Sequence, residues 1–320
     1  MRWLYVLLKK VCDRTLLLSR NDGEVKRTFN EAEGVVSEQL AQHTAWRVGG
    51  VASCYKPTCL ADLVAFMKTY PEEEPLLWLG LGSNVLIRDG GVEGTVILTQ
   101  GGLNQLEIEG DLIVHAQAGV SCAQLARFTA RLGWAGLEFL AGIPGTVGGA
   151  LAMNAGCHSQ ETWDQVLSVE MIDRQGGVHH RDRSEFSTGY RHVEKPYLEE
   201  AFVAGRFQLQ HSTKEVALAR IKALLEHREK TQPIDLPNCG SVFRNPPGDF
   251  AARLIEQCGL KGFTHGLAQV SEKHANFIVN HGGSAADIEY LIEHIANEVL
   301  RLTGVSLTRE VHVYGKGLQK

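Results

Sequence analysis

A chain of 320 residues is long enough for two domains, each with its own core. Its 44% hydrophobic and 22% charged content is that of an ordinary globular protein. A net charge of −5 leaves no excess of Lys and Arg to replace phosphate counterions, which argues against a nucleic-acid protein but not against a local nucleotide pocket.

In chain order, the first segment is MRWLYVLLKKVCDRTLLLSR. Its apolar run Trp3–Leu8 is broken by Lys9 and Lys10, lacks a small-residue cleavage site and is too short to span a bilayer. Residues 1–35 therefore read as an amphipathic lead-in, with a membrane-surface helix as the weaker alternative. From Leu76 to Gln117, LLWLG, NVLIRD, GTVILTQ, QLEIEG and DLIVHAQAG read as short strands of an open sheet, divided by Gly turns. A helix is expected over Ser121–Leu132, and a strand pair near Val166–Asp173 and Ala201–Leu209.

The texture changes after Gln210. Ser212-Thr-Lys-Glu215 is a capping-box pattern opening a helix that carries Val216, Ile221, Leu224 and Leu225. Ser284-Ala-Ala-Asp287 opens a longer helix, with Ile288, Leu291, Ile292, Ile295, Val299 and Leu300 on one face and Gly304 at its end. The pattern divides the chain into a β-rich domain at residues 36–210 and a smaller α+β domain at 211–320. Seven scattered cysteines without a CxxC read as reduced thiols of a cytoplasmic protein. Thirteen histidines without HxxxH or HExxH spacing predict no metal ligands.

Two glycine-rich segments suit a phosphate or a flat ring held against the backbone. Gly80-Leu-Gly82-Ser83-Asn84 lets N–H groups approach an anion without a Cβ in the way. It lacks the third glycine and the following helix of a dinucleotide fingerprint, so a tight turn between strands competes evenly with a ligand site. The second segment spans Gly136–Gly156 and contains Gly142, Ile143, Pro144, Gly145, Thr146, Gly148, Gly149 and Asn154. So many glycines in succession exceed what a buried turn needs. Together the two segments point to a ligand site.

The ordered motifs TAWRVGG (Thr44–Gly50), LGLGSNVLI, GLEFLAGIPGTVGGALAMNAG, GYR (Gly189–Arg191), CGSVFRNP (Cys239–Pro246), KHANFIVN (Lys273–Asn280) and LTREVHVYG (Leu307–Gly315) resemble the UDP-N-acetylenolpyruvoylglucosamine reductase family. The resemblance runs from about Thr44 to Gly315 and looks like the shorter subtype, which lacks a substrate-covering loop. It implies an α+β chain: a vanillyl-alcohol-oxidase/PCMH-type FAD-binding fold followed by a domain that closes over the sugar nucleotide. It also implies non-covalent FAD, NADPH as electron donor, and reduction of an enolpyruvyl ether to a lactyl ether. A monomer that contacts neither nucleic acid nor the bilayer interior is expected.

The implied chemistry is a hydride from flavin N5 to the vinyl carbon, then a proton to the carbon bearing the ether. Charge builds on the substrate carboxylate as it becomes an enediolate, where preorganised donors act most strongly. Arg191 and Glu310 match the family's active-site arginine and glutamate, and Ser241 matches the proton-delivering serine. A serine can protonate only because the receiving carbanion is very basic; burial would favour a neutral, donating Glu310.

Taken singly, these residues have plainer explanations. Arg191 lies among charges typical of a solvated surface, Glu310 could be a rim ion pair, and Ser241 a turn residue. Tyr190, Arg244, Asn245 and His274 are weaker substrate-binding candidates, His274 being equally a satisfied strand histidine. Cys239 has no neighbouring base and reads as structural. One departure stands out: Cys157-His158-Ser159-Gln160-Glu161 replaces the aromatic and glycines of relatives, which bears on donor preference. Competing readings are an oxidase or dehydrogenase of the same fold, with flavin tethered to His158 or His115, and a flavin module without chemistry.

Overall fold

The computed structural model describes residues 34–318; the expected lead-in before residue 34 lies outside the described residues. The described residues begin with β1 (Val35–Gln39), β2 (Val51–Tyr55), α1 (Leu60–Thr69), β3 (Leu76–Leu79), β4 (Val85–Ile87) and β5 (Thr95–Leu98). Four of these strands form one sheet in the order β1-β2-β5-β3, parallel except at β1–β2.

The expected single run of strands from Leu76 to Gln117 is split. β6 (Leu106–Gly110) and β7 (Ile113–Gln117) belong to a second sheet, and β4 leaves the first to pair elsewhere. Gly turns mark where strands end, not which strands pair.

Next come α2 (Cys122–Arg131), β8 (Trp134–Ala135), α3 (Val147–Met153) and a hairpin of β9 (Gly156–Cys157) and β10 (Gln160–Glu161). After them run β11 (Val166–Ile172), β12 (Val178–Asp182), the hairpin β13 (Ser187–Gly189) and β14 (His192–Glu194), β15 (Ala201–Gln208) and β16 (Gln210–His211). The second sheet is antiparallel, in the order β12-β11-β15-β7-β6. The expected strands at Val166 and Ala201 are neighbours in it.

The remaining elements are α4 (Lys214–Thr231), α5 (Ala251–Gln257), β17 (Thr264–His265), β18 (Ala268–Val270), β19 (Ile278–Asn280), α6 (Ala285–Thr303) and β20 (His312–Tyr314). Thr213, not Ser212, caps α4, its hydroxyl accepting the Val216 N–H at 3.3 Å. Val216 is 60% exposed, so the inward stripe of α4 rests on Ala217 and Ile221 instead. α6 carries the full Ser284/Asp287 capping box and ends at a left-handed Gly304, as its sequence demands.

Apolar side chains segregate into two large cores. One joins α2, α3 and the second sheet through residues such as Leu125, Phe139, Leu151 and Phe207, and takes in Ala217 and Ile221 of α4. The other gathers Ile288, Leu291 and Ile295 of α6 with Val242, Phe243, Leu254 and Ile278, and reaches back to Trp46 and Leu86. Trp46 is fully buried; its indole N–H donates to the Ile278 carbonyl at 2.8 Å, and Asn280 Nδ2 donates to the Trp46 carbonyl at 2.8 Å.

The C-terminal part is fastened to the first sheet's neighbourhood by more than apolar contact. β20 lies parallel to β4, His312 opposite Val85 and Tyr314 opposite Ile87. Arg88 makes a two-pronged ion pair with Glu289 of α6, at 2.8 and 2.7 Å. Asp89 accepts the Ala285 and Ala286 N–H groups at the start of the same helix, at 3.0 and 3.1 Å, where a carboxylate complements the helix dipole. Among the described residues no helix is long and apolar enough to cross a membrane. All six described cysteines are unpaired.

Candidate active site

The two glycine segments meet. A methyl group on Gly80 would sit 2.4 Å from the Thr146 hydroxyl oxygen, and one on Gly145 would come within 3.7 Å of Ser83 Oγ. The glycines divide into two kinds. Gly80, Gly82 and Gly148 serve the protein's own packing: Gly82 has φ +58° and its Cβ would collide with the His43 carbonyl at 2.1 Å, while Gly148 is pressed on Ala118 at 2.9 Å. A methyl on Gly142, Gly145 or Gly149 would meet nothing closer than 3.7 Å, an ordinary van der Waals contact, so these glycines are not demanded by the protein's own packing.

The start of α3 is not the anion site that a glycine-rich helix entry suggests. Its Val147 and Gly148 N–H groups donate to Val120 and Ala118 carbonyls, and the Gly149 N–H donates to its cap, Thr146 Oγ1. The N–H groups of Gly82, Ser83, Asn84, Gly145 and Thr146, by contrast, have no acceptor among the described residues. These unclaimed donors, on two facing segments, fit a diphosphate.

A cavity of about 780 Å³ opens beside them, lined by Trp78, Gly80, Thr99, Thr146, Gly149 and Tyr314. A smaller one of about 420 Å³ lies past the other end of the stretch, at Phe139, Gly142, Cys157, His227, Arg228 and His274. Thr146, Gly148 and Gly149 line the larger cavity and Gly142 the smaller, so the one glycine stretch borders both, an arrangement that suits a long dinucleotide. Sequence reasoning missed Trp78, Thr99, Tyr314, His227 and Arg228. The aromatic two residues before Gly80 was a usable signal, whereas Arg228 sits in a charged helix end that reads as solvated surface.

Arg191 and Glu310 come together from 119 residues apart, Arg191 Nε donating to Glu310 Oε1 at 2.6 Å. A second guanidinium nitrogen donates to the Gly156 carbonyl at 2.9 Å. Arg191 occupies the turn between β13 and β14 with φ +53°, a conformation unusual for a side chain of its size. Its guanidinium also lies over the Tyr190 ring, 5.3 Å from the centroid. Burial pushes the Glu310 carboxyl above the ordinary glutamate range, against the opposing pull of Arg191 and Arg244.

The segment carrying Ser241 lies against that of Glu310. The Glu310 N–H donates to the Val242 carbonyl at 2.8 Å, Phe243 bridges Arg309, and the Arg244 N–H donates to the Thr308 carbonyl at 2.8 Å. Arg244 Nε is buried without a hydrogen-bond partner, a state that calls for an anionic ligand. Asn245, in contrast, uses its side-chain oxygen on the Ala251 N–H at the start of α5, 3.1 Å away. His274 is held below the ordinary histidine range by burial, its Nδ1 accepting the Asn276 N–H at 3.3 Å.

The side chains of two asparagines from these segments make hydrogen bonds within the protein. Asn84 Nδ2 donates to the Glu310 carbonyl at 3.2 Å, and the Asn84 carbonyl accepts the His312 N–H at 3.1 Å, so Asn84 grips the strand that bears the carboxylate. Asn154 is buried with every polar side-chain atom taken: Nδ2 by Glu161 at 2.6 Å and Gly189 at 3.0 Å, Oδ1 by the Trp163 N–H at 3.1 Å. The departing Cys157–Glu161 segment forms the β9–β10 hairpin, with His158 and Ser159 both left-handed at φ +53° and +60°.

Comparison with known proteins agrees with this division of labour. Residues 51–182 match the family model for an FAD binding domain, and residues 232–314 that for the C-terminal domain of UDP-N-acetylenolpyruvoylglucosamine reductase. The chain is 57% identical to the UDP-N-acetylenolpyruvoylglucosamine reductase of Alkalilimnicola ehrlichii over 281 residues, covering 87% of this chain and 94% of that one. It is 55% identical to the Legionella pneumophila (strain Corby) enzyme over 290 residues, covering 89% and 94%. The crystal structure of the Thermus caldophilus reductase superposes with a TM-score of 0.76 at 34% identity, over 88% of this chain and 99% of that one. The expected order, an FAD-binding domain followed by a smaller α+β domain, agrees with these matches. With its glycine cradle, its Arg191–Glu310 pair and this likeness along nearly its whole described length, the chain belongs to the UDP-N-acetylenolpyruvoylglucosamine reductase family.

Proposed function

We propose that the protein is a cytoplasmic, monomeric enzyme that reduces UDP-N-acetyl-3-O-(1-carboxyvinyl)-glucosamine to UDP-N-acetylmuramate with electrons from NADPH. FAD would be held non-covalently along Gly82–Asn84 and Gly142–Gly149 and, when bound, would supply the hydride chemistry of the reduction. The observation that carries this reading is the Arg191–Glu310 pair at 2.6 Å, set beside the Ser241 segment and the bare backbone of the cradle.

Arg191 spends one N–H on Glu310 and another on Gly156, which fixes the plane of its guanidinium. Its remaining N–H groups are free for the substrate carboxylate and strengthen their hold as the enediolate forms. Ser241 gives its proton to the carbon that bears the ether oxygen, and solvent restores it. Glu310, raised by burial, orients Arg191 when ionised and donates to the enediolate when protonated. Arg244, whose buried Nε lacks a partner, holds a phosphate of the sugar nucleotide. Tyr190, 48% exposed at the hairpin tip, and His274 contact the substrate more peripherally.

The test is anaerobic: the yellow protein is mixed with NADPH, and then with the enolpyruvyl sugar nucleotide. The flavin is expected to bleach and then to recover its absorbance as lactyl ether forms. Flavin that bleaches but is not reoxidised by that substrate rules the reading out. An acid-stable flavin adduct at His158 or His115 would favour the oxidase alternative instead.

A further inference from the structure

The smaller cavity holds a charge that the chemistry above does not use. Arg228, near the end of α4, is part-buried, and burial draws its guanidinium below the ordinary arginine range without removing its charge. No carboxylate pairs with it among the described residues. Its Nε donates to the neutral Gln232 Oε1 at 2.9 Å, and its two terminal nitrogens have no acceptor there. Keeping a cation part-desolvated without a counter-charge is costly, and proteins do so where an anionic group arrives.

What arrives is constrained by position. The Arg228 side chain lies directly over the open glycine of the cradle, since a methyl on Gly142 would meet only Arg228 Cδ, at 3.8 Å. The cavity of about 420 Å³ has apolar walls at Phe139 and Leu224 and polar ones at Cys157 and His227. That mixture suits a flat aromatic system with one polar edge. Cys157 feels the charges of both Arg191 and Arg228, so the two guanidiniums flank the start of the β9–β10 hairpin. Arg191 is committed to Glu310, leaving Arg228 as the unpaired cation.

We infer that Arg228 stands against the ring system of the flavin and balances the negative charge the ring gains when it accepts a hydride. This rests on the reading of Gly142–Gly149 as the flavin cradle. NADPH delivers two electrons and one proton as the hydride, so the ring ends one charge more negative and no second proton is required. A fixed cation at its edge favours the reduced form and raises the reduction potential.

The experiment compares midpoint potentials of the FAD-loaded wild type, Arg228→Gln and Arg228→Lys, by anaerobic equilibration with reference dyes at fixed pH. Arg228→Gln is expected to shift the reduced-to-oxidised ratio at least tenfold towards oxidised flavin, a fall of about 30 mV for a two-electron couple. Arg228→Lys is expected to stay within threefold of wild type. An unshifted Gln variant, or a Lys variant that falls as far as Gln, overturns the inference. If Arg228→Gln retains no flavin, the Lys variant carries the test. Its potential should match wild type at neutral pH and drop away from it as the lysine loses its proton at higher pH; parallel curves overturn the inference. A wild-type protein that binds no FAD instead overturns the cradle reading, and is recognised because there is then no potential to compare.

Discussion

The Asn154 amide nitrogen donates to the Gly189 carbonyl at 3.0 Å, tying the left-handed end of α3 to the strand that leads into Arg191. The same amide group reaches Glu161 and receives the Trp163 N–H, so one side chain sets the spacing between the β9–β10 hairpin and the β13–β14 hairpin. Arg191 bonds to the first of these hairpins at Gly156 while being carried by the second. Its aim at Glu310 depends on their distance.

Asn154→Gly isolates that role, because glycine keeps the φ of +43° and drops only the amide. Full flavin content is expected, with kcat lowered at least tenfold, since small misplacements of catalytic groups cost about that much or more. Stability should fall by about 2 kcal/mol, chiefly from the unsatisfied Trp163 N–H. An unchanged kcat in a folded, yellow variant means that Asn154 does not position Arg191.

Ser241→Ala separates the two half-reactions. Flavin reduction by NADPH should stay near the wild-type rate, while reoxidation by the enolpyruvyl substrate slows by roughly 10³-fold or more. Stopped-flow measurement of each half-reaction decides it, and equal losses in both would make Ser241 structural.

The tip of the β9–β10 hairpin predicts a stabilising change. His158 and Ser159 both adopt positive φ, a pairing that two-residue hairpin turns normally give to Asn and Gly. Ser159→Gly should raise stability by about 1 kcal/mol, visible as an upward shift in Tm. No shift, or a fall, would show that Ser159 repays its backbone cost through a contact in solution.

Acid should weaken the second sheet through Glu170. His115 Nε2 at 3.4 Å, and Arg206 at 2.8 Å, hold this buried carboxylate down at about 2, below the ordinary value of 4.5. A depressed carboxyl stabilises the fold fully above the unfolded value and loses that contribution as pH falls towards the folded one. Glu170→Gln should therefore be less stable than wild type at pH 6, with the gap closing between about pH 4.5 and 2. Denaturant titrations across that range test it, and a pH-independent gap would sever the link to ionisation.

Local grammar made the helices readable. Ser284 caps α6 where a hydroxyl was expected, Ser121 caps the helix expected from its position, and Gly304 ends α6 in the left-handed conformation. Thr213 displaced Ser212 at α4 because adjacent hydroxyl residues offer nearly equal caps, and the chain direction out of β16 decides between them. Strand partners were not readable, since β4 finds β20 across more than two hundred residues and nothing in three apolar residues names that partner. Arg191, Ser241 and Glu310 were legible only as members of ordered motifs; their local surroundings resemble solvated surface. Arg228 was illegible because its burial comes from packing of α4 against a distant glycine stretch.

The parallel pairing of β20 with β4 has a consequence for synthesis. Asn84 and Val85 meet Glu310 and His312, more than two hundred residues further along the chain. A nascent chain emerging from the ribosome thus carries both glycine segments well before it carries the carboxylate that pairs with Arg191. Premature termination anywhere before about residue 310 removes the Glu310 partner of Arg191 and the strand that pairs with β4. Competence is thereby coupled to completion of translation.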